Sequence, residues 1–414
     1  KNAKPLTAEG VGPKAAEHQA HEHEHPTPVA HPFFTPGTWM VLAVALAGLA
    51  AMAYRFLYGL EAATNLNQQY PWGLWIGIDV ATGVALAAGG FTSGALAHVF
   101  HREHYHAIVR PALLTAMLGY TFVVIGLQAD LGRYYNVWHP MFMWQGNSVL
   151  FEVGMCVMCY LNVLYLEFTP IVCERVEKME GRPRLAAMAG WVRLRLEKVM
   201  FLLIIAGCVL SCLHQSSLGN LMVIAPSKLH PLWWTPISPL LFLMSAIAVG
   251  FPMIIFESLL ASRSLKLKPE LNVLGALSRY VPVFLGLYFT VKVGDMAVRG
   301  TYVFLIDGSL HGMAWLAEVG LGVVLPTALL LTPRVRRSPT MLLAAAALVV
   351  AGVVLNRVNV FLVGYRPPYA DGPYIPSMVE FAVTAGLIAT LVLIYRACVI
   401  YLPVISRPAE EGKA

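Results

Sequence analysis

Several groups able to hold a polar ligand and exchange protons stand within or at the ends of long apolar stretches of this sequence: Asp79, Asp130 with Arg133, Glu152, and His214 followed by Gln215 and Ser216. Placing an ionised side chain in a bilayer costs about 2.5 to 3.5 kcal/mol on insertion scales, so each such residue marks a site or a pathway unless the groups merely neutralise one another. Imidazole and guanidinium donors, carboxylates that exchange protons and apolar helix walls suit a lipophilic redox carrier with two oxygens, such as a quinone. His214 and Asp130 are the expected contacts to its oxygens, with Arg133 as electrostatic partner and Glu152 or Asp79 exchanging protons. The plainer reading is an interhelical ion pair, Asp130 with Arg133 or Glu152, that only locks helices together.

A second set follows in the other half of the chain: Lys292, Asp295, Arg299, Glu318 and Glu380. Arg133 precedes Glu152 by 19 residues and Arg299 precedes Glu318 by the same 19, each arginine having an aspartate three or four positions before it. This echo suggests an internal repeat, whose second acids either conduct protons or remain as a packing relic. Nearer the opposite ends of the same stretches lie His98, Glu167 and Glu257, with Thr115, Tyr120, Ser211 and Ser245 between. They form a conceivable proton path, although such groups also serve as snorkelling or capping residues.

The elements that must position these groups follow from composition. Of 414 residues, 57% are hydrophobic and 13% charged, against about 25% charged in an ordinary soluble domain. The apolar residues form continuous runs near the roughly twenty residues that cross a bilayer as a helix, not the short alternating segments of a membrane barrel. Spans are expected near 36–60, 73–100, 107–133, 147–173, 197–215, 237–261, 272–298, 311–333, 340–360 and 376–402, with 218–236 as a structured loop. The expected fold is therefore an all-α membrane protein of about ten helices. Two four-helix bundles, spans two to five and six to nine, are flanked by spans one and ten. In domain terms these are a His-rich tail (1–35), the first span (36–62), a first bundle with the quinone site (63–236), a second bundle (237–370) and the last span with its tail (371–414).

Basic residues concentrate in one set of connections, around Arg102 and Arg110, Arg175 to Lys198, Arg263 to Lys268, and Arg334 to Arg337. Short Lys- and Arg-rich loops stay in the cytoplasm, so both termini are expected there. The charge of +6 thus reports topology in a lipid bilayer and not a nucleic-acid partner. The other loops carry Trp72, Trp75, Tyr134, Tyr135, Trp138, Trp144, Trp233 and Trp234, either an interfacial belt or a docking surface. No apolar run follows a basic start closely enough for a cleaved signal peptide, so the first span is expected to direct insertion. Asp79 falls seven residues, about 10 Å, inside its span.

Other signals carry less. Cys156 and Cys159 form a C-x-x-C without further soft ligands at metal-site spacing. The run of His18, His21, His23, His25 and His31 lacks a fold to fix ligand geometry. Paired axial histidines for a haem would have to be His214 with His311. No metal site is therefore expected.

The blocks PWGLWIGID (71–79), YHAIVRPALL (105–114), DLGRYYN (130–136), NSVLFE (147–152), HQSSLG (214–219) and LHPLW (229–233), in this order, make the chain resemble the NrfD (polysulfide-reductase membrane subunit) family. The resemblance is strongest to its ten-span branch of HybB-type hydrogenase and QrcD-type quinone-reductase subunits, and it covers roughly 36–405. It implies a subunit of the bacterial cytoplasmic membrane that exchanges electrons with menaquinone near the periplasmic face, with no haem or iron-sulfur cluster of its own. The implied partners are a periplasmic four-cluster iron-sulfur protein and, beyond it, a catalytic or multihaem cytochrome subunit. Asp130, Arg133, Glu152 and His214, with Asp79, are implied to line the quinone pocket. A secondary transporter and a purely structural anchor remain the rival classes.

Overall fold

The computed structural model describes residues 26–100, 102, 105–370 and 372–406. The His-rich run up to His25, together with His101, His104 and the end of the last tail, lies outside the described residues. Among the described residues ten helices are long and apolar enough to cross a membrane. They are α1 (Pro36–Tyr58), α2 (Trp75–His98), α3 (His106–Asp130), α4 (Val149–Glu177), α5 (Pro183–Val223), α6 (Ser238–Leu265), α7 (Leu271–Arg299), α8 (Leu310–Leu331), α9 (Pro339–Val363) and α10 (Met378–Tyr401). Among the described residues the only β pairing is an isolated bridge between Leu229 and Tyr365. The all-α, ten-span expectation is met.

Serines begin several of these helices where the sequence places a hydroxyl one residue ahead of an apolar run. Ser148, Ser309, Ser338 and Ser377 each accept a hydrogen bond from a first-turn amide of α4, α8, α9 and α10, satisfying donors that a helix otherwise leaves bare. The expected boundaries miss chiefly at α5, which runs from Pro183 to Val223 instead of 197–215. Its first four turns are helix-forming but carry Arg184, Arg193 and Arg195, which end an apolar window. Its last two, polar in sequence, bury Gln215, Ser217, Leu218, Gly219 and Met222. His214 thus lies nine residues before the helix end, deeper than an expected span end at 215 would place it.

Helices α2 to α5 pack in succession and α5 returns to α2; α6, α7, α8 and α9 likewise contact one another, and α6 lies against α2 and α5. Helices α1 and α10 pair, and α10 also touches α2 and α3. Small residues permit the closest crossings: a Cβ added to Gly386 would fall on the backbone of Gly48, and one added to Gly322 on Gly352. With no hydrophobic drive between helices in lipid, such backbone approach supplies the packing. Gly386→Val is expected to separate α1 from α10 at a cost of about 1 to 3 kcal/mol. A drop in the detergent melting temperature, compared with Gly294→Val, where nothing lies within 4 Å of an added Cβ, checks this.

Candidate functional site

The basic connections define one face of the bundle and the aromatic loops the other. Toward the aromatic face, Asp79 sits in a π-helical stretch, Trp75–Thr82, of the kind that recurs at functional sites. Its Oδ2 accepts a hydrogen bond from Thr384 Oγ1 of α10 at 2.7 Å. Its Cβ abuts Gly126 of α3 so closely that a methyl group there would clash. Asp130 stands one helical turn beyond Gly126 and within electrostatic reach of Asp79, Glu380 and Arg55. Its Oδ1 is buried without a hydrogen-bond partner among the described residues.

Arg55, 2% exposed, reaches from α1 to the end of α3, donating from Nε to Ala129 O and from an Nη to Leu131 O, both at 2.6 Å. It therefore fixes the backbone on either side of Asp130. Glu380, expected to belong with the second set, caps α10 here. Its carboxylate accepts from Tyr374 Oη at 2.6 Å, Ser377 N at 2.9 Å and Leu74 N at 3.0 Å. Asp79 and Asp130 thus find their polar neighbours on α1 and α10.

The remaining expected ligands are not drawn into this cluster. Arg133 and Glu152 are exposed at the aromatic face, where Glu152 occupies the first turn of α4 and favours that helix terminus electrostatically. His214 is buried, its Nδ1 3.2 Å from Tyr120 Oη; Tyr120 precedes Asp130 by ten residues, about 15 Å along α3. Gln215 donates from Nε2 to Val84 O at 2.8 Å while its Oε1 has no hydrogen-bond partner among the described residues. Ser216 is half-buried. Asp79 and Asp130 thus meet near the surface, whereas His214 belongs to a separate group at mid-depth.

That group leads toward the basic face. Tyr120 and Tyr160 pack edge to face at 4.6 Å, with Ser211 beside both hydroxyls and Glu167 against Gly207 one turn away. Glu257 lies near Thr115 and Tyr395, and its Oε1, like that of Glu167, has no hydrogen-bond partner among the described residues. His98 is half-buried, its ring edge-on to His106.

The second set is fully engaged. Lys292 Nζ pairs with Glu318 Oε1, which also accepts from Asn356 Nδ2 at 2.8 Å, while Trp233 Nε1 and Asn359 Nδ2 donate to Oε2, both at 2.9 Å. Asp295 holds Arg299 and Thr235, each at 2.8 Å. The matched 19-residue spacing joins unlike environments, since Glu318 is buried and Glu152 exposed. His311 stacks on His230, with ring centroids 4.3 Å apart and planes at 3°, and has Trp233, not His214, as a further ring neighbour. Among the described residues no group of three or more His, Cys, Asp or Glu side chains could hold a metal ion.

Residues 62–367, most of the helical bundle, match the family described as polysulphide reductase, NrfD. The chain belongs to the NrfD family. A protein of Nitratidesulfovibrio vulgaris (strain Hildenborough) is 37% identical over 385 residues, 90% of this chain and 95% of its own length. The probable Ni/Fe-hydrogenase 2 b-type cytochrome subunit of Escherichia coli (strain K12) is 33% identical over 362 residues, 85% and 88% of the two chains. The menaquinone reductase integral membrane subunit of N. vulgaris is 25% identical over 405 residues, 91% and 93%. The chain is accordingly a multi-pass integral membrane protein whose relatives are membrane subunits of oxidoreductase complexes.

Arg55, Arg357 and Trp233 of this NrfD chain also serve the polar clusters, through Ala129 O, Ser245 Oγ and Glu318 Oε2. A single arginine inside a 23-residue apolar helix was the available signal for Arg55. Trp233, which the sequence offers to an interfacial belt or a docking surface, and Arg357 of α9 are instead 5% and 1% exposed. In the 224–237 loop, burial and the adjacent His311 push His230 down to about 4. Its folded pKa lies below the ordinary 6.5, so the stability it contributes is complete above pH 6.5 and is lost as pH falls toward 4. Protection factors of the backbone amides in residues 228–236, which correct for the intrinsic pH dependence of exchange, are expected to fall across that interval, and His230→Phe to reduce that fall.

Proposed function

We propose that this NrfD chain is the quinone-reactive membrane subunit of a bacterial respiratory oxidoreductase. It exchanges two electrons and two protons between menaquinone and a periplasmic four-cluster iron-sulfur partner, itself served by a catalytic or multihaem cytochrome subunit. The placement of basic loops supports an inner-membrane orientation with both termini cytoplasmic, and the printed functions of the relatives support a redox complex. The observation that carries the quinone site is the meeting of Asp79 and Asp130 beneath α1 and α10, with Asp130 Oδ1 buried and without a hydrogen-bond partner among the described residues.

The donor set fits a quinone: protonated carboxyls and the Thr384 hydroxyl donate to ring oxygens, and ionised carboxyls receive protons from the reduced form. A bound quinone supplies the redox chemistry. The chain's own residues hold the ring between α1, α2, α3 and α10 and exchange its protons. Met52, Trp75, Ala129 and Val383 provide the apolar wall at this junction. Exposed apolar residues of α1, Leu46, Leu49 and Leu57, face lipid, from which a hydrophobic carrier enters. Glu167, Ser211, Tyr120 and His214, with His98 and Glu257 nearer the basic face, are proposed as groups through which protons reach the site; Asp295 and Glu318, being salt-bridged, are proposed to shape the field. The exposed tryptophans of 138–144 suit partner docking.

The test is oxidation of a soluble menaquinol analogue by the purified complex, read as reduction of the partner's clusters. Asp79→Asn is expected to slow it by at least about tenfold with subunit content unchanged. Undiminished turnover supports an anchor role instead.

A further inference from the structure

A second polar centre carries a charge that none of its neighbours cancels. Arg357 of α9 is 1% exposed and stays protonated at any physiological pH. One Nη donates to Asn356 Oδ1 at 2.6 Å, the other to Ser245 Oγ at 2.9 Å and Phe242 O at 3.4 Å. Its guanidinium carbon stands 3.9 Å from the centre of the Phe242 ring. All these partners are neutral, and Nε has no hydrogen-bond partner among the described residues.

The nearby carboxylates are already taken. Glu318 answers Lys292, and Asp295 answers Arg299. Asn356 bridges Arg357 to Glu318 through its two amide ends, which orients the groups without neutralising them. Three cations against two anions leave one buried positive charge, a state that desolvation disfavours strongly unless a counter-charge is present. Arg357 lines a cleft with Phe242, Tyr288, Lys292, Trp315 and Asn356, which continues past Asp295 and Arg299 toward the aromatic face.

We propose that this cleft is a binding site for a small monovalent inorganic anion of the halide class. Such an ion accepts from the bare Nε–H of Arg357 and from the Tyr288 hydroxyl, which already faces Lys292 Nζ at 3.1 Å. Being weakly hydrated, it tolerates the apolar rings of Phe242 and Trp315, and it completes electroneutrality among five charged side chains. Arg299 near the mouth attracts anions from the aqueous side. The site is independent of the quinone reading, since it shares no residue with the Asp79 and Asp130 cluster.

The test is thermal unfolding of the purified protein in chloride against gluconate at equal ionic strength. Chloride is expected to raise Tm saturably by a few degrees. Arg357→Met is expected to abolish the difference, and Ser245→Ala, which keeps the charge but loses an anchor, to raise the half-saturating concentration by about threefold. Bromide added to wild-type crystals is expected to give an anomalous peak beside Arg357, a readout that stands even where Arg357→Met fails to fold. Identical melting in the two salts, a chloride effect unchanged in both variants, or bromide density only elsewhere overturns the proposal.

Discussion

Asp130→Asn is expected to lower quinol turnover by about 100-fold while the complex still assembles. Proton exchange by a positioned acid or base is worth roughly 10²- to 10⁴-fold in rate. Asparagine preserves the shape of the side chain and removes only that capacity. The backbone on both sides of Asp130 is held by Arg55 through Ala129 O and Leu131 O, so the helix end does not depend on the carboxylate. Arg133→Gln and Glu152→Gln, altering exposed groups at the same face, are expected to change turnover by less than about twofold. Steady-state assays on the purified complex, with subunit content checked on the same samples, compare all three. An Asp130→Asn enzyme within twofold of wild type, on the order of the scatter between such assays, removes this carboxyl from proton exchange.

Lys292→Met is expected to be the most destabilising single substitution among the charged residues, at about 3 kcal/mol. Removing one member of a buried ion pair leaves the other as an uncompensated charge, which typically costs about 3 to 5 kcal/mol. Here Glu318 keeps its bonds from Trp233, Asn356 and Asn359, which places the expectation at the lower end. Adding Glu318→Gln removes the stranded charge, so the double variant is expected to recover part of the loss. Thermal melts in detergent at constant salt provide the comparison. A double variant less stable than Lys292→Met shows that the remaining hydrogen bonds, and not the charge, set the cost.

These two experiments also separate the two polar centres. The first touches the cluster beneath α1 and α10, where an acid has a free acceptor; the second touches the cluster of α7, α8 and α9, where each carboxylate is satisfied. The matching 19-residue spacing treated them as equivalents, but equal spacing along a chain does not make equal surroundings. Glu318 faces Lys292 across packed helices, whereas Glu152 sits one turn into α4 facing outward.

By itself the sequence determined the ten spans, their alternation between a basic and an aromatic face, and the family, because runs of about twenty apolar residues have one inexpensive arrangement in a bilayer and the ordered motif blocks are specific. It also flagged Asp79 and Asp130, since an ionisable residue in an apolar run is costly wherever it points. Only the tertiary structure decided which groups meet. Hydropathy records depth along a helix but not rotation about it, nor which helix lies alongside. Arg55 and Thr384 therefore join the acids from helices that seemed peripheral, Arg133 and Glu152 are exposed, and His214, on an α5 that continues to Val223, meets Tyr120, which lies about 15 Å along α3 from Asp130.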